Sequence, residues 1–223
     1  VRCYLMMPRI FRKEAEQYFR KQMELLTSAG FDALGIGSME EPGFLREAGI
    51  ELPMYFDQGM YSWNHLAGAA MERYGADRLT IPVELNEREI RDSGVQGEMI
   101  VYGYLPMMIS AQCIRKTTLG CSGKSEIMWL KDRKDMRFPV VNQCRFCYNT
   151  IYNSAPLSLL GLSEQVTGLK PNAVRLNFTV EEPAAAGEIL DAFFEEYGMS
   201  EKAAEPPVLR NQFTRGHFKR GVE

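Results

Sequence analysis

Residues 30–57 read GFDALGIGSMEEPGFLREAGIELPMYFD, and the fold turns on how this stretch is parsed. Gly30 stops the helix before it, because a helix end favours a left-handed residue and glycine adopts that conformation without strain. Ala33–Gly37 (ALGIG) is apolar throughout, as a strand buried on both faces must be. A short helix follows through Glu47, and Pro53–Asp57 (PMYFD) is the next strand. Strand, helix and strand in this order make a right-handed βαβ unit, whose two strands lie parallel.

The same rhythm continues on both sides. Upstream, Val1–Pro8 (VRCYLMMP) is a strand and Arg12–Ala29 a helix, with Ala15, Tyr18, Phe19, Gln22, Leu25 and Leu26 on one face. Downstream come the helix Trp63–Tyr74, ended by Gly75, the strand Arg78–Val83 (RLTIPV), the short helix Glu87–Arg91 and the strand Glu98–Gly103 (EMIVYG). After Gly103 the rhythm breaks. Ile127–Lys131 and Arg137–Val141 read as two strands joined by a turn at Asp132–Asp135, and the strand–helix pattern returns with Ala173–Val180 and Ala184–Tyr197. The prediction is an α/β chain, an incomplete or distorted (β/α) TIM-type barrel with a cysteine-rich inserted lobe. Six strands of the repeating kind are countable, whereas a closed barrel has eight in about 250 residues. An open doubly wound sheet is the alternative, and no glycine-rich dinucleotide fingerprint follows the first strand to favour it. The expected division is a barrel-like domain over 1–104 and 155–200, a cysteine-bearing lobe over 105–154 and a C-terminal tail over 201–223.

The chain has 223 residues, enough to bury a full core, and its 45% hydrophobic and 25% charged content is ordinary for a globular protein. A net charge of −3 supplies no general basic field for nucleic acid. No apolar run approaches the ~18 residues that span a bilayer, so no membrane partner is expected. The start at Val1, directly before a strand, reads as a cut from a longer polypeptide, with the parent's remaining domains as partners. The expected setting is cytoplasmic and reduced, since disulfide frameworks belong mainly to small secreted domains.

Four of the five cysteines, Cys113, Cys121, Cys144 and Cys147, fall in one 35-residue window with the spacing C-x7-C-x22-C-x2-C. Three readings stand: paired disulfides, a tetrathiolate metal site, or ordinary buried residues. Zinc sites usually show two tight pairs, and only Cys144–Cys147 is tight here, so the uneven spacing suits iron–sulfur better than zinc. Arg115, Lys116, Lys124 and Arg145 are near in sequence to offset four thiolates.

Carboxylates at strand ends come next. Asp57 ends one strand and Glu84 follows another, which in a barrel places both on the C-terminal rim that carries barrel sites. A polar pocket of Asp57, Asn64, Glu84, Asn86 and Tyr102 is the candidate substrate-binding set, with Glu84 the candidate for acid–base work. The competing account is that Asp and Asn after a strand cap the next helix. His65 reads as structural, and His217 as a possible ligand contact. No Ser-His-Asp arrangement, HExxH or P-loop is present. The basic, aromatic stretch Arg210–Arg220 (RNQFTRGHFKR) suits either an RNA backbone or a solvated tail.

Val101–Cys113 (VYGYLPMMISAQC), Asp132–Arg133 before Phe138–Pro139, and Cys144–Arg145 before Ile151–Ser154 (IYNS) together resemble the collagenase-like peptidase family U32. Val83–Asn86 (VELN), Arg175–Phe178 (RLNF) and Thr214–Gly221 (TRGHFKRG) extend the resemblance over nearly the whole chain. It is nearest to the C-terminal U32-like region of long bacterial members. The resemblance implies a peptidase of unknown catalytic type acting on peptide. It also implies a relationship to proteins that support hydroxylation of RNA or quinone precursors and carry a four-cysteine [4Fe–4S] cluster, with zinc the alternative metal. The family's peptidase signature joins a His-Gly pair closely to its first cysteine. Here Tyr102–Gly103 stands at the comparable strand end and Cys113 follows ten residues later.

Overall fold

The computed structural model describes residues 1–199 and 213–221, in two compact units, Val1–Met99 and the residues from Ile100 onward. The tail expected over 201–223, and the start of the basic stretch at 210, lie largely outside the described residues.

The first unit opens with strand β1 (Tyr4–Met6), followed by helices α1 (Lys13–Lys21) and α2 (Met23–Ser28). Next come β2 (Ala33–Ile36), α3 (Glu40–Glu47), β3 (Met54–Phe56) and a 3-10 turn at Gln58–Met60. Helix α4 (His65–Tyr74), β4 (Arg78–Leu79) and α5 (Glu87–Ser93) complete it, up to the start of β5 (Glu98–Gly103). The sheet order is β1-β2-β3-β4, every pair parallel, with Tyr4 opposite Ala33, Leu34 opposite Met54 and Tyr55 opposite Arg78. Just past β4, Thr80 makes a further parallel bridge to Glu98. The parallel strands expected from the 30–57 stretch are thus present. β2 is buried at every residue, and Leu34, Ile36, Phe56, Leu26 and Leu45 form the centre of the core. Each such side chain contributes about 1.5–3 kcal/mol by leaving water.

Several elements are shorter than expected, β1 and the later strand Ala173–Asn177 among them. The predicted helix Arg12–Ala29 breaks at Gln22, whose N–H closes on the Phe19 carbonyl three residues back instead of four. The strand expected over Arg78–Val83 stops at Leu79; Thr80 and Ile81 still donate to the Phe56 and Glu98 carbonyls at 2.8 Å, and Pro82, which has no N–H, cannot extend the pairing further. Gly75 ends α4 as expected, at φ 111°, and Gly94 at φ 66° ends α5 in the same way.

The second unit holds two sheets. In one, of order β10-β5-β11, β10 (Leu157–Ser158) runs antiparallel to β5, and β11 is Ala173–Asn177. The other is a four-stranded antiparallel sheet of order β6-β9-β8-β7, made from Pro106–Ser110, Tyr148–Tyr152, Arg137–Gln143 and Ile127–Lys131. The hairpin expected between 127 and 141 is the β7–β8 pair, turned at Asp135 with φ 64°. Strands β6, β9 and β10 carry no sequence signal strong enough to have been expected. Helices α6 (Ile114–Thr118), α7 (Ser163–Gly168) and α8 (Pro183–Glu196) complete the unit. The chain is therefore mixed α/β, with parallel and antiparallel sheets. Among the described residues no helix is long and apolar enough to cross a membrane.

Candidate functional site

The β8–β9 hairpin presents Cys144 and Cys147 at the first and last positions of its four-residue turn. Cys147 adopts φ 53°, a left-handed conformation that closes the hairpin, and the Phe146 N–H donates to the Gln143 carbonyl at 3.1 Å. The other two cysteines arrive on loops. Cys113 is the N-cap of α6, its Sγ accepting the Lys116 N–H at 3.4 Å. Its loop is pinned by Asn149 of β9, which is fully buried. The Asn149 amide donates to the Ser110 and Gln112 carbonyls at 3.1 and 2.7 Å, and its Oδ1 accepts the Ile114 N–H at 3.1 Å. Cys121 sits in the loop before β7, and that loop is tied back where the Cys144 thiol donates to the Lys124 carbonyl at 2.9 Å. Arg115 and Glu126 form an ion pair beneath it.

Burial pushes the Cys144 thiol above its ordinary value, and the neighbouring Cys113, Cys121 and Cys147 thiols, with Glu126, push it the same way. Three separate stretches of chain thus bring all four sulfurs into one electrostatic neighbourhood. All five cysteines are free, and Cys3 belongs to the first unit. Among the described residues, no group of three or more His, Cys, Asp or Glu side chains is placed so that it could hold a metal ion, so the expected convergence of the four cysteines on one metal is not seen.

The expected substrate-binding residues meet different fates. Asn64 caps α4, its side chain accepting the Ala67 N–H at 3.0 Å. Asn86 forms a reciprocal capping box with Glu89 on α5, at 2.9 and 2.8 Å. Both amides are thereby engaged in starting helices. Asp57 is 4% exposed and pairs with Arg9 at 2.7 Å. Glu84 follows β4 in a turn, half-buried, and its Oε2 has no hydrogen-bond partner. Tyr102 belongs to the second unit, where burial and then the Glu181 carboxylate drive its phenol well above the ordinary value. His65 opens α4, and His217 Nδ1 faces the Gly221 carbonyl at 2.8 Å, so that nitrogen carries the proton.

The C-terminal edge of the β1–β4 sheet also gathers residues that sequence reasoning missed. Arg9 lies against Gly37 and Gly59: a Cβ built on Gly59 would stand 2.6 Å from Arg9 Nη1, and one on Gly37 3.3 Å from Arg9 Cδ. Glu41, in the first turn of α3, is fully buried, with Oε2 accepting the Gly37 and Ser38 N–H groups at 2.8 and 3.3 Å. Its Oε1 has no hydrogen-bond partner, and neither does any polar atom of the Gln58 side chain, which is 5% exposed. Burial raises the Glu41 carboxyl to about 8, against the opposing pull of the Gly37 and Ser38 N–H bonds. In the sequence Glu41 is one of two adjacent acidic residues opening a helix, which reads as a solvated first turn. Only the fold buries it.

No curated protein and no solved structure matches the chain. The model of peptidase family U32 matches residues 1–188, and those residues include the parallel sheet, the acidic rim and all four clustered cysteines. This chain therefore belongs to peptidase family U32.

Proposed function

We propose that the chain is a U32 peptidase-type domain of a bacterial, cytoplasmic protein, whose residues 105–154 form a lobe holding a metal centre. The ligands are Cys113, Cys121, Cys144 and Cys147, and the centre is a [4Fe–4S] cluster in preference to zinc. The observation that carries this reading is the shared electrostatic neighbourhood of the four thiols around Cys144. All-thiol donors suit either metal, and the uneven spacing favours the cluster. Cys144 and Cys147 come as a hairpin pair, Cys113 is held by Asn149, and Arg115 pairs with Glu126 beside them. Bound there, a cluster supplies one-electron chemistry and fixes the lobe.

The substrate in this reading is peptide. Of the expected substrate-facing residues, Glu84 is taken as the acid–base group, since its Oε2 is without a hydrogen-bond partner.

The test is metal and acid-labile sulfide analysis of the full chain purified without oxygen. About four irons and four sulfides per chain are expected, lost together in Cys144→Ser. Zinc at one per chain would replace the cluster with the alternative metal, and neither metal would overturn the site.

A further inference from the structure

We infer that Asn142, near the end of β8, is a positioning residue for the cysteine centre, its side-chain amide being the hydrogen-bond donor to the Cys144 thiolate that forms when a metal binds. This rests on the four-thiol reading above and adds to it a residue that is not a ligand. Asn142 is 1% exposed, and among the described residues neither its Nδ2 nor its Oδ1 has a hydrogen-bond partner. Buried polar groups in native proteins are almost always paired, so an idle amide on an inner strand of a sheet needs a reason to be there. Packing is not that reason. An apolar side chain fills such a place at lower cost, as Val140 does two residues earlier on the same face, fully buried.

Strand register places the amide among the cysteine-bearing segments. Asn142 stands opposite Asn149 in the β8–β9 ladder. Its backbone N–H donates the other way, to the Glu126 carbonyl just before β7, at 3.1 Å. The Asn142–Asn149 pair is therefore of the non-hydrogen-bonded kind, whose side chains share one face and stand closest. Glu126, Asn142 and Asn149 thus form a row across the sheet. The segment from Cys113 to Arg115 is tied to both ends of that row. Asn149 Oδ1 accepts the Ile114 N–H at 3.1 Å, and the Arg115 side chain pairs with Glu126. Asn142 lies between those two ties, which accounts for its burial. Cys144 follows two residues along, on the same face, where its Sγ meets the Lys124 carbonyl at 2.9 Å.

The polar neighbours in the row are already spent. Asn149 gives both amide hydrogens to the Ser110 and Gln112 carbonyls and its Oδ1 to Ile114, and Arg115 is matched by Glu126. Chemistry then selects the sulfur. As a thiol, Cys144 is a donor, and the Lys124 carbonyl satisfies it. Ligation removes that proton and leaves a thiolate, an acceptor beside a carbonyl, which requires a donor of its own. Cys113 has one already, since its Sγ accepts the Lys116 N–H at 3.4 Å. Asn142 Nδ2–H is the unspent donor for Cys144. A donor of this kind steadies the charge on a ligand atom and fixes its direction.

The probe is cadmium(II), a soft ion suited to thiolates, titrated without oxygen into the reduced full chain against a competing chelator and read by its thiolate-to-metal absorbance. Asn142→Leu should keep the absorbance band but bind at least about tenfold more weakly than the wild type. Its metal-free thermal midpoint should be no lower, because an idle polar group has gone. Asn142→Val serves in its place if the leucine variant does not fold. Val140→Ala is the packing control: its midpoint should fall, with cadmium affinity kept within about threefold. In proton–nitrogen NMR spectra the Asn142 side-chain amide should move downfield as cadmium binds, the Asn149 amide should stay, and the movement should vanish in Cys144→Ser. Wild-type affinity in the Asn142 variants, a stationary Asn142 amide, or a movement that persists in Cys144→Ser would each overturn this inference and leave the metal site standing. No cadmium–thiolate band in the wild type would overturn the metal site, and this inference with it.

Discussion

At Glu41 a single buried proton sets a pH dependence for the whole first unit. The carboxyl titrates near 4.5 when unfolded and near 8 in place, chiefly through burial and a little through the Glu40 charge. Between those values the folded chain holds a proton that the unfolded chain has released, so stability falls as pH rises, by up to about 1.4 kcal/mol per pH unit. Below 4.5 both states are protonated, and above about 8 both are ionised, so the dependence flattens at each end. Glu41→Gln should therefore match the wild type in urea denaturation at pH 4.5 and exceed it clearly at pH 8. Equal pH slopes in the two proteins would show that Glu41 is ionised in the fold. None of this was legible in the sequence, because Glu40 and Glu41 are indistinguishable there. The helix phase that exposes one and buries the other is decided by how α3 packs.

Among the elements, legibility followed hydrogen-bond range. The parallel strands announced themselves because each is an apolar run followed by its own helix, a local pattern. Strands β6 and β10 find partners far along the chain, and β6 mixes polar with apolar residues, so no local period marks them; β9, although it pairs with β8 across a four-residue turn, mixes polar with apolar residues in the same way. Asn64 and Asn86 show the same division. Their capping role was readable as the alternative to ligand binding, and local chemistry prevailed. The cysteines were readable as a group from spacing, whereas the clamp that gathers them, Asn149, looks like any strand asparagine. Gly103 at the end of β5 gives the sharpest test at this scale. Its φ of 148° is open to few residues other than glycine, and an added Cβ would collide with the Asn177 carbonyl of β11 and stand 2.9 Å from Asn177 Cβ. Gly103→Ala should cost roughly 2–4 kcal/mol, since backbone and strand spacing must both yield. A thermal midpoint unchanged within a degree or two would mean that the strands part freely there.

On the scale of the molecule, each compact unit carries one tryptophan, Trp63 in the first and Trp129 in the second. Single-tryptophan variants therefore report the units separately. If the four thiols hold a metal, its removal by chelator or oxidant should lower the midpoint seen by Trp129 and leave that seen by Trp63 unmoved. A shift of both together would show that the metal couples the entire chain. The hydrogen bond from the Ile114 amide to Asn149 adds a clock to this picture. That amide opens a five-residue helix in a loop, where exchange with deuterium is ordinarily fast, yet its acceptor is a side chain with no exposed surface. Deuterium should enter there as slowly as in the β8–β9 ladder even when the protein is free of metal, and at loop rates in Asn149→Ala. Slow entry would mean that the Cys113 arm is already set before any metal arrives, so that metal capture waits only on the Cys121 loop.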